Sequence, residues 1–519
     1  MQKYNEGALS DLRVIEMGQL LAGPFCGQLL GDFGAEVIKV EPPEIGDPMR
    51  QWGREKPHGK SLWWPVVARN KKSITVNLRV EDGQNIIKEL VKSADVLIEN
   101  FRPGTLERWN MGYDVLSKIN PRLIMVRVSG FGQTGPYSKR AGFGAIGEAM
   151  GGLRYVSGDP RTPPSRMGIS IGDQLAAMHA CMGALIAIHA RERTGKGQVV
   201  DSAIYESVLN MMESLITEHD VAGYTRERTG TIIPNVAPSN IFQTKDDQMI
   251  LIAANQDQVF SRLCDIMGRS ELASDDRYNS HSSRGKNQTE LDDLINEWTK
   301  TKNLNEIEQL CNDNGIPAGL IYKAKDMIED PHFQARNAII DIEHPDFGMI
   351  KMQNVAPRLS DNPGQVHHVG PRLGEHNDYV FKKILKKITN MLTPQTAKTI
   401  RSQAERIKRE LNSEIVEKKR TEIRTFMNKT TITAGMKRSF IVTVKLNTDL
   451  DALKRKIQAA ESLVKNAKGQ RGRLRAELRT YLNTLNLTNE ERKRIEGGVG
   501  DKTKSLTPLK RRARTISER

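Results

Sequence analysis

Cysteine is scarce in this chain: four in 519 residues, at Cys26, Cys181, Cys264 and Cys311, with no C-x-x-C pair. That spacing excludes a disulfide-stapled scaffold or a zinc ribbon and predicts free thiols in a reducing compartment. Aromatic residues are only 5% of the chain, which removes the interleaving of aromatic and basic side chains typical of single-strand nucleic-acid binders. No uninterrupted apolar run reaches the roughly 20 residues that a membrane span requires. Little chain precedes the first strand-like run at Leu12, too little for a cleavable presequence. The expectation is a cytoplasmic protein without a membrane partner, the mitochondrion being the alternative.

What the chain has in excess is positive charge, +15 from 78 Lys and Arg against 63 Asp and Glu. Taken whole, such a balance points to a polyanionic partner. Residues 390–519, however, hold 32 Lys and Arg against 14 Asp and Glu, a net of +18, and the preceding 389 residues are at −3. The body is nearly neutral and needs no nucleic acid, so any such partner would have to act through the basic extension.

The body alternates short β-branched runs with helical patterns. L-R-V-I-E-M from Leu12, A-E-V-I-K-V-E from Ala35, S-I-T-V-N-L from Ser73, A-D-V-L-I-E-N from Ala94 and L-I-M-V-R-V-S from Leu123 read as strands, with helices between them. This rhythm predicts an α/β fold with a parallel, doubly wound sheet. An apolar helix from about Asp173 to Arg193, stopped by Gly195 and Gly197, and a strand from Gln198 to Ala203 complete the first part, residues 8–220. Residues 225–325 read as a smaller α+β domain and 326–389 as a return to the large one, ending in a helix near Tyr379 to Ile388. Residues 390–519 read as a helical, partly disordered extension, with Ile400, Ile407, Leu411 and Ile415, then Leu453, Ile457, Leu463 and Leu474, at helical spacing. The last twenty residues read as disordered.

Several motifs resemble cofactor sites without their context. Gly130 to Gly135 spells G-x-G-x-x-G after a strand, but Pro136 follows where the dinucleotide fingerprint must open a helix. Gly53 to Ser61 has one residue too many between its glycines for a phosphate loop. His367, His368 and His376 match no metal-ligand spacing, so no metal is expected. Asp173 heads the long apolar helix, where an N-cap is the local reading, although a helix N-terminus beside Gly172 also suits a nucleophilic carboxylate. Arg102 and Arg108 follow a strand end, where doubly wound sheets bind ligands and guanidinium groups meet phosphates.

Taken together, L-A-G-P-F from Leu21, G-A-E-V-I-K-V-E from Gly34, N-K-K-S-I from Asn70, E-N-F-R-P-G from Glu99, S-G-F-G-Q-T-G-P from Ser129, I-G-D-Q-L-A-A-M-H from Ile171, T-G-K-G-Q from Thr194, G-I-P-A-G from Gly315 and D-P-H-F from Asp330 resemble the class III CoA-transferases over residues 8–385. The resemblance implies a Rossmann-like large domain that binds CoA, a small domain, and a homodimer of interlocked chains. It places Asp173 on the nucleophilic aspartate and Ala22, Arg79, Asn100, Phe101, Arg102 and Arg108 on or beside positions that hold CoA. The implied substrates are an acyl-CoA and a carboxylic acid, with CoA as substrate and no other cofactor.

Departures bear on the acid. Leu21 replaces the Gln of formyl-CoA:oxalate enzymes, and Ala253-Ala254-Asn255-Gln256 lacks their glycine-rich lid, so the resemblance implies a longer dicarboxylate, as in succinyl-CoA:glutarate enzymes. Pro42 stands for a CoA-contacting Arg of some members and Gly144 for an acid of many. The alternatives are an α-methylacyl-CoA racemase, whose A-G-H-D histidine is absent from Ala141-Gly142-Phe143-Gly144, and a scaffold or nucleic-acid binder acting through the extension.

Overall fold

Six short runs of β-branched residues form the central sheet: β1 (Arg13–Glu16), β2 (Glu36–Glu41), β3 (Lys71–Thr75), β4 (Val96–Glu99), β5 (Ile124–Ser129) and β6 (Val199–Ala203). All pairs are parallel and the order is β3-β2-β1-β4-β5-β6. This is the doubly wound order, in which the chain reverses its direction of winding between β1 and β4 and leaves a crevice beyond their carboxyl ends. The computed structural model describes residues 7–384 continuously and, further on, short runs such as 420–425 and 488–496.

Parallel strands are buried on both faces, which is why they read as continuous apolar runs. On one face Val14, Val37, Val96, Ile98, Ile124 and Val126 pack beneath the Ala22–Asp32 and Ile171–Thr194 helices. The second helix meets that layer through Ala176, Ala180, Ala184 and Ala187, small side chains at helical spacing that let it lie close. The alternate residues Ile15, Ile38, Leu97 and Met125 are buried too. By length and composition alone the Ile171–Thr194 helix is also long and apolar enough to cross a membrane, although its uncharged run, residues 174–190, stays short of the length sought in the sequence. Its alanine face belongs to the core, while Met178, Met182 and Ile186 on other faces are 53%, 52% and 60% exposed.

The smaller α+β portion is an antiparallel sheet of β7 (Ser239–Gln243), β8 (Met249–Ala253) and β9 (Ala318–Leu320), covered by the Asp257–Ile266, Gln288–Thr299 and Leu304–Asp313 helices. Phe242, Ile250, Ile252, Phe260, Leu263 and Ile295 form its core. A hairpin follows, β10 (Ile339–His344) with β11 (Gly348–Gln353). The chain then ties itself to β2 and β3: Asn70 Nδ2 donates to the Gln365 carbonyl at 2.8 Å, Asn377 Oδ1 accepts from Thr75 N at 2.9 Å, and the Tyr379 hydroxyl donates to Glu36 at 2.9 Å. Of the terminal helix expected near Tyr379 to Ile388, the described residues form an Asn377–Tyr379 turn continued by a π-helical turn, Val380–Ile384; residues 385–388 lie outside the described residues. The four cysteines are unpaired.

Contacts divide the chain into Met1–Arg401 and Ser402–Arg519. Within the second unit, the Asn489–Glu496 helix opens on a reciprocal cap, Thr488 N donating to Glu491 at 2.9 Å and Glu491 N to the Thr488 hydroxyl at 3.3 Å. Ile423, Leu478, Leu482 and Ile495 are buried. The eight apolar positions predicted for the extension lie outside the described residues. Lys510 and Arg514, in the stretch expected to be disordered, are helical.

Candidate active site

The crevice at the sheet's reversal is a cleft of about 620 Å3. Its floor is the segment that leaves β1. Asn100, just past β4, holds this segment from both sides: its Oδ1 accepts from Gln19 N and its Nδ2 donates to the Gln19 carbonyl, each at 2.8 Å. Leu20 takes the left-handed conformation, φ 63°, which a branched apolar residue adopts only when its surroundings impose it. Those surroundings are ionic and fully buried. Asp47 accepts from Leu20 N at 3.1 Å, Lys39 bridges Asp47 at 2.7 Å and Glu16 at 2.9 Å while donating to the Gly18 carbonyl, and Lys71 pairs with Glu16 at 2.8 Å and reaches the Pro24 carbonyl at 2.5 Å. Two lysines and two acids thus clamp both ends of the Gly18–Pro24 segment.

On the β4 side, Glu99 accepts from Phe101 N at 2.8 Å and pairs with Arg127 at 2.7 Å. Burial pushes the Glu99 carboxyl up to about 7 against the pull of Arg127. Phe101 packs edge-on to Trp109, and Arg102 reaches the cleft without an ion pair among the described residues.

Asp173 closes the far wall. The Ile171–Thr194 helix begins at Ser170, so Asp173 is in its first turn rather than at the N-cap, and its side chain caps nothing. This corrects the local reading of the sequence: the carboxylate is half-buried, faces the cleft and accepts no hydrogen bond from any described residue. Burial, and then the neighbouring carboxylate of Glu148, raise its pKa to about 6, while Arg166 pulls the other way. Glu148 is itself buried and paired with Arg154 at 2.8 Å.

Gly144 gives Asp173 its room. A Cβ there would lie 2.3 Å from Asp173 Oδ2, so the Gly144→Ala variant must push the carboxylate aside. Activity at this cleft is expected to fall about a hundredfold, the cost of misplacing a reacting group by an ångström. Steady-state kinetics beside a thermal melt checks this; an unchanged rate contradicts it.

Of the residues singled out from sequence, Ala22, Asn100, Phe101, Arg102 and Asp173 line this one cleft. Arg79 and Arg108 do not line it; they are exposed beyond β3 and β4, the latter donating to the Thr105 hydroxyl at 3.0 Å. Gln19, Trp52, Arg140, Glu148 and Arg166 line it as well and were not read from the sequence. Gln19 and Arg166 had only their position to announce them, the one just past β1 and the other shortly before Asp173, and nothing in the sequence marked Trp52, Arg140 or Glu148. No histidine lines the cleft. His368 and His376 stack on each other 6.5 Å apart elsewhere, and no group of His, Cys, Asp and Glu among the described residues is arranged to hold a metal ion. A second cavity of about 690 Å3, between Arg50–Trp64 and the β10–β11 hairpin, contains none of the candidates.

Three unlike signs therefore meet in the cleft: a carboxylate with no partner among the described residues, a surplus of guanidinium groups, and a floor of backbone held by buried charge. Residues 9–377 match the model of CoA-transferase family III. The chain belongs to that family. This CoA-transferase is 57% identical over 76% of its length to succinyl-CoA–D-citramalate CoA-transferase of Chloroflexus aurantiacus, covering 98% of that enzyme. It is 32% identical over 73% of its length to human succinyl-CoA:glutarate CoA-transferase, covering 86% of it. Among solved structures it resembles a CAIB/BAIF family protein from Brucella suis, with a TM-score of 0.66, 34% identity, and coverage of 73% of this chain and 99% of that one. The basic residues beyond 389 lie outside the family match.

Proposed function

We propose that this CoA-transferase moves CoA between dicarboxylic acids through an aspartyl-CoA thioester on Asp173. The observation that carries this reading is the Asp173 carboxylate, without a partner among the described residues and facing a cationic cleft at the sheet's reversal point. An ionised Asp173 attacks the donor thioester, forming a mixed anhydride and releasing CoA thiolate. The thiolate attacks the aspartyl carbonyl, the C–O bond of the anhydride breaks, and the donor acid leaves as a carboxylate that carries one oxygen from Asp173. The acceptor acid then runs the steps in reverse. Asn100, Phe101 and Arg102 would hold CoA within the cleft, with Arg79 and Arg108 further along the same edge for its phosphates. A racemase reading has no support, because two-base proton exchange needs a second base such as the histidine that the cleft lacks.

The acid is assigned from the relatives. Their named substrates are D-citramalate, malate and glutarate, and Leu21 lines the cleft here. Chromatography with mass detection of CoA esters, using succinyl-CoA as donor, tests this: D-citramalate, malate or glutarate is expected to be esterified at least tenfold faster than butyrate. Preference for butyrate would overturn the dicarboxylate assignment, and preference for oxalate would overturn the assignment of a longer one. We also infer a homodimer, supported by apolar side chains exposed beside the site, Phe143 at 66% and Ile146 at 49%, and further along the Ile171–Thr194 helix, Ile186 at 60%; light scattering of a monomer would refute it.

A further inference from the structure

We propose that Arg166 is the group that pairs with the distal carboxylate of the acid while the other carboxyl reacts at Asp173. The inference rests on the dicarboxylate reading above. A dicarboxylic acid brings a second negative charge into a cleft that already holds Asp173 and Glu148, so a cation must meet it. Glu148 has its counter-charge in Arg154 and supplies none to the substrate.

Among the described residues, three arginines line the cleft. Arg102 sits past the end of β4, beside Asn100 and Phe101, on the side assigned to CoA. The Arg140 guanidinium lies 3.6 Å from the ring centre of Tyr137, stacked on its face. Arg166 makes no ion pair among the described residues, and it is on the same side as the nucleophile, in the loop that runs into the Asp173 helix. That loop is fixed where it matters. Ser165 N donates to the Ser157 carbonyl at 2.9 Å, Gly230 N donates to the Gly158 carbonyl at 3.1 Å, and a Cβ on Gly158 would lie 2.4 Å from the Ser165 hydroxyl. The residue preceding Arg166 is thus pinned while its own side chain stays exposed. The Arg166 charge is near enough to act on Asp173, so an acid with one end at Asp173 has its other end within that field. Once Asp173 is acylated its charge is gone, and the distal carboxylate is then the anion left for Arg166.

The test uses the full-length enzyme and its Arg166→Gln, Arg166→Lys and Arg140→Gln variants. Transfer from succinyl-CoA to glutarate is compared with transfer from acetyl-CoA to butyrate. Losing a charge-assisted pair is expected to raise KM for glutarate about 10- to 100-fold in Arg166→Gln, with kcat much less affected. At pH 8, where Asp173 stays ionised with or without Arg166, the butyrate reaction should lose much less than the glutarate one, and Arg166→Lys should recover part of the glutarate KM. Equal losses with both acids, or a glutarate KM that moves in Arg140→Gln and not in Arg166→Gln, overturn the assignment. A wild-type enzyme that prefers butyrate fails differently: it removes the dicarboxylate reading, and this inference with it.

Discussion

Replacing Asp173 with alanine or asparagine is expected to lower CoA transfer by about 10,000-fold or more, the scale seen when a covalent nucleophile is deleted. Neither variant has a carboxylate to form the anhydride, and the other acid that lines the cleft among the described residues, Glu148, is buried and committed to Arg154. The asparagine variant is expected to be the more stable protein. The folded-state pKa of Asp173 is raised from 3.8 to about 6 by burial and by Glu148. The protonated form is therefore favoured in the fold, and the stability it contributes is complete below about pH 4 and lost as pH rises through 6. At neutral pH the ionised side chain costs on the order of 1–3 kcal/mol, which a neutral isostere removes. Thermal melts at pH 7.5 and pH 4 separate this: Asp173→Asn should melt higher than wild type at the first pH and close to it at the second. The same ionisation sets the acid limb of activity. In wild type, kcat/KM should fall as pH drops through about 6, and Glu148→Gln should move that midpoint down. Retained transfer in Asp173→Asn would exclude the nucleophile.

The second large effect is on the floor of the site. Lys39→Met is expected to cost about 3–5 kcal/mol, because it leaves Asp47 buried without its counter-ion and strips Glu16 of one of two. Burial works against the charge of Lys39, yet Asp47, Glu16 and Glu41 outweigh it and hold the ammonium above its ordinary range. The melting temperature should fall by at least about 5 °C. The variant also frees the Gly18 carbonyl and loosens Asp47, which positions Leu20 N, so residual folded enzyme should transfer CoA more slowly. A melt within a degree of wild type would mean that the four charges do not act as a clamp.

These buried charges mark where the sequence stopped being legible. Val14, Val37, Val96 and Val126 announced parallel strands because burial on both faces selects β-branched residues. The third strand was expected at Ser73 to Leu78 and lies at Lys71–Thr75. A lysine reads as a surface residue, and only the fold shows that Lys71 is extended and buried to meet Glu16. Asp47 and Glu148 were silent for the same reason: a lone acid in a glycine-rich segment carries no sign of a partner distant in the chain. The start of the Asp173 helix differed by one turn's logic, since Ser170 takes the N-cap position and leaves the aspartate free. Arg102 was legible because it follows the carboxyl end of a strand, where doubly wound sheets bind ligands, and Asn100 and Phe101 were legible only through the E-N-F-R-P-G resemblance; Arg108, read on the same strand-end logic, does not line the cleft. Arg140 and Arg166 come from irregular loops, and only the tertiary fold brings them to the cleft.

The central claim is that Asp173 carries CoA during turnover. Mass spectrometry of the enzyme incubated with succinyl-CoA and no acceptor tests it most directly. The account predicts a species heavier by coenzyme A less one water, mapped to the peptide containing Asp173, absent in Asp173→Asn and discharged by adding acceptor acid. An active enzyme with no adduct, or with CoA on any other residue, would contradict it.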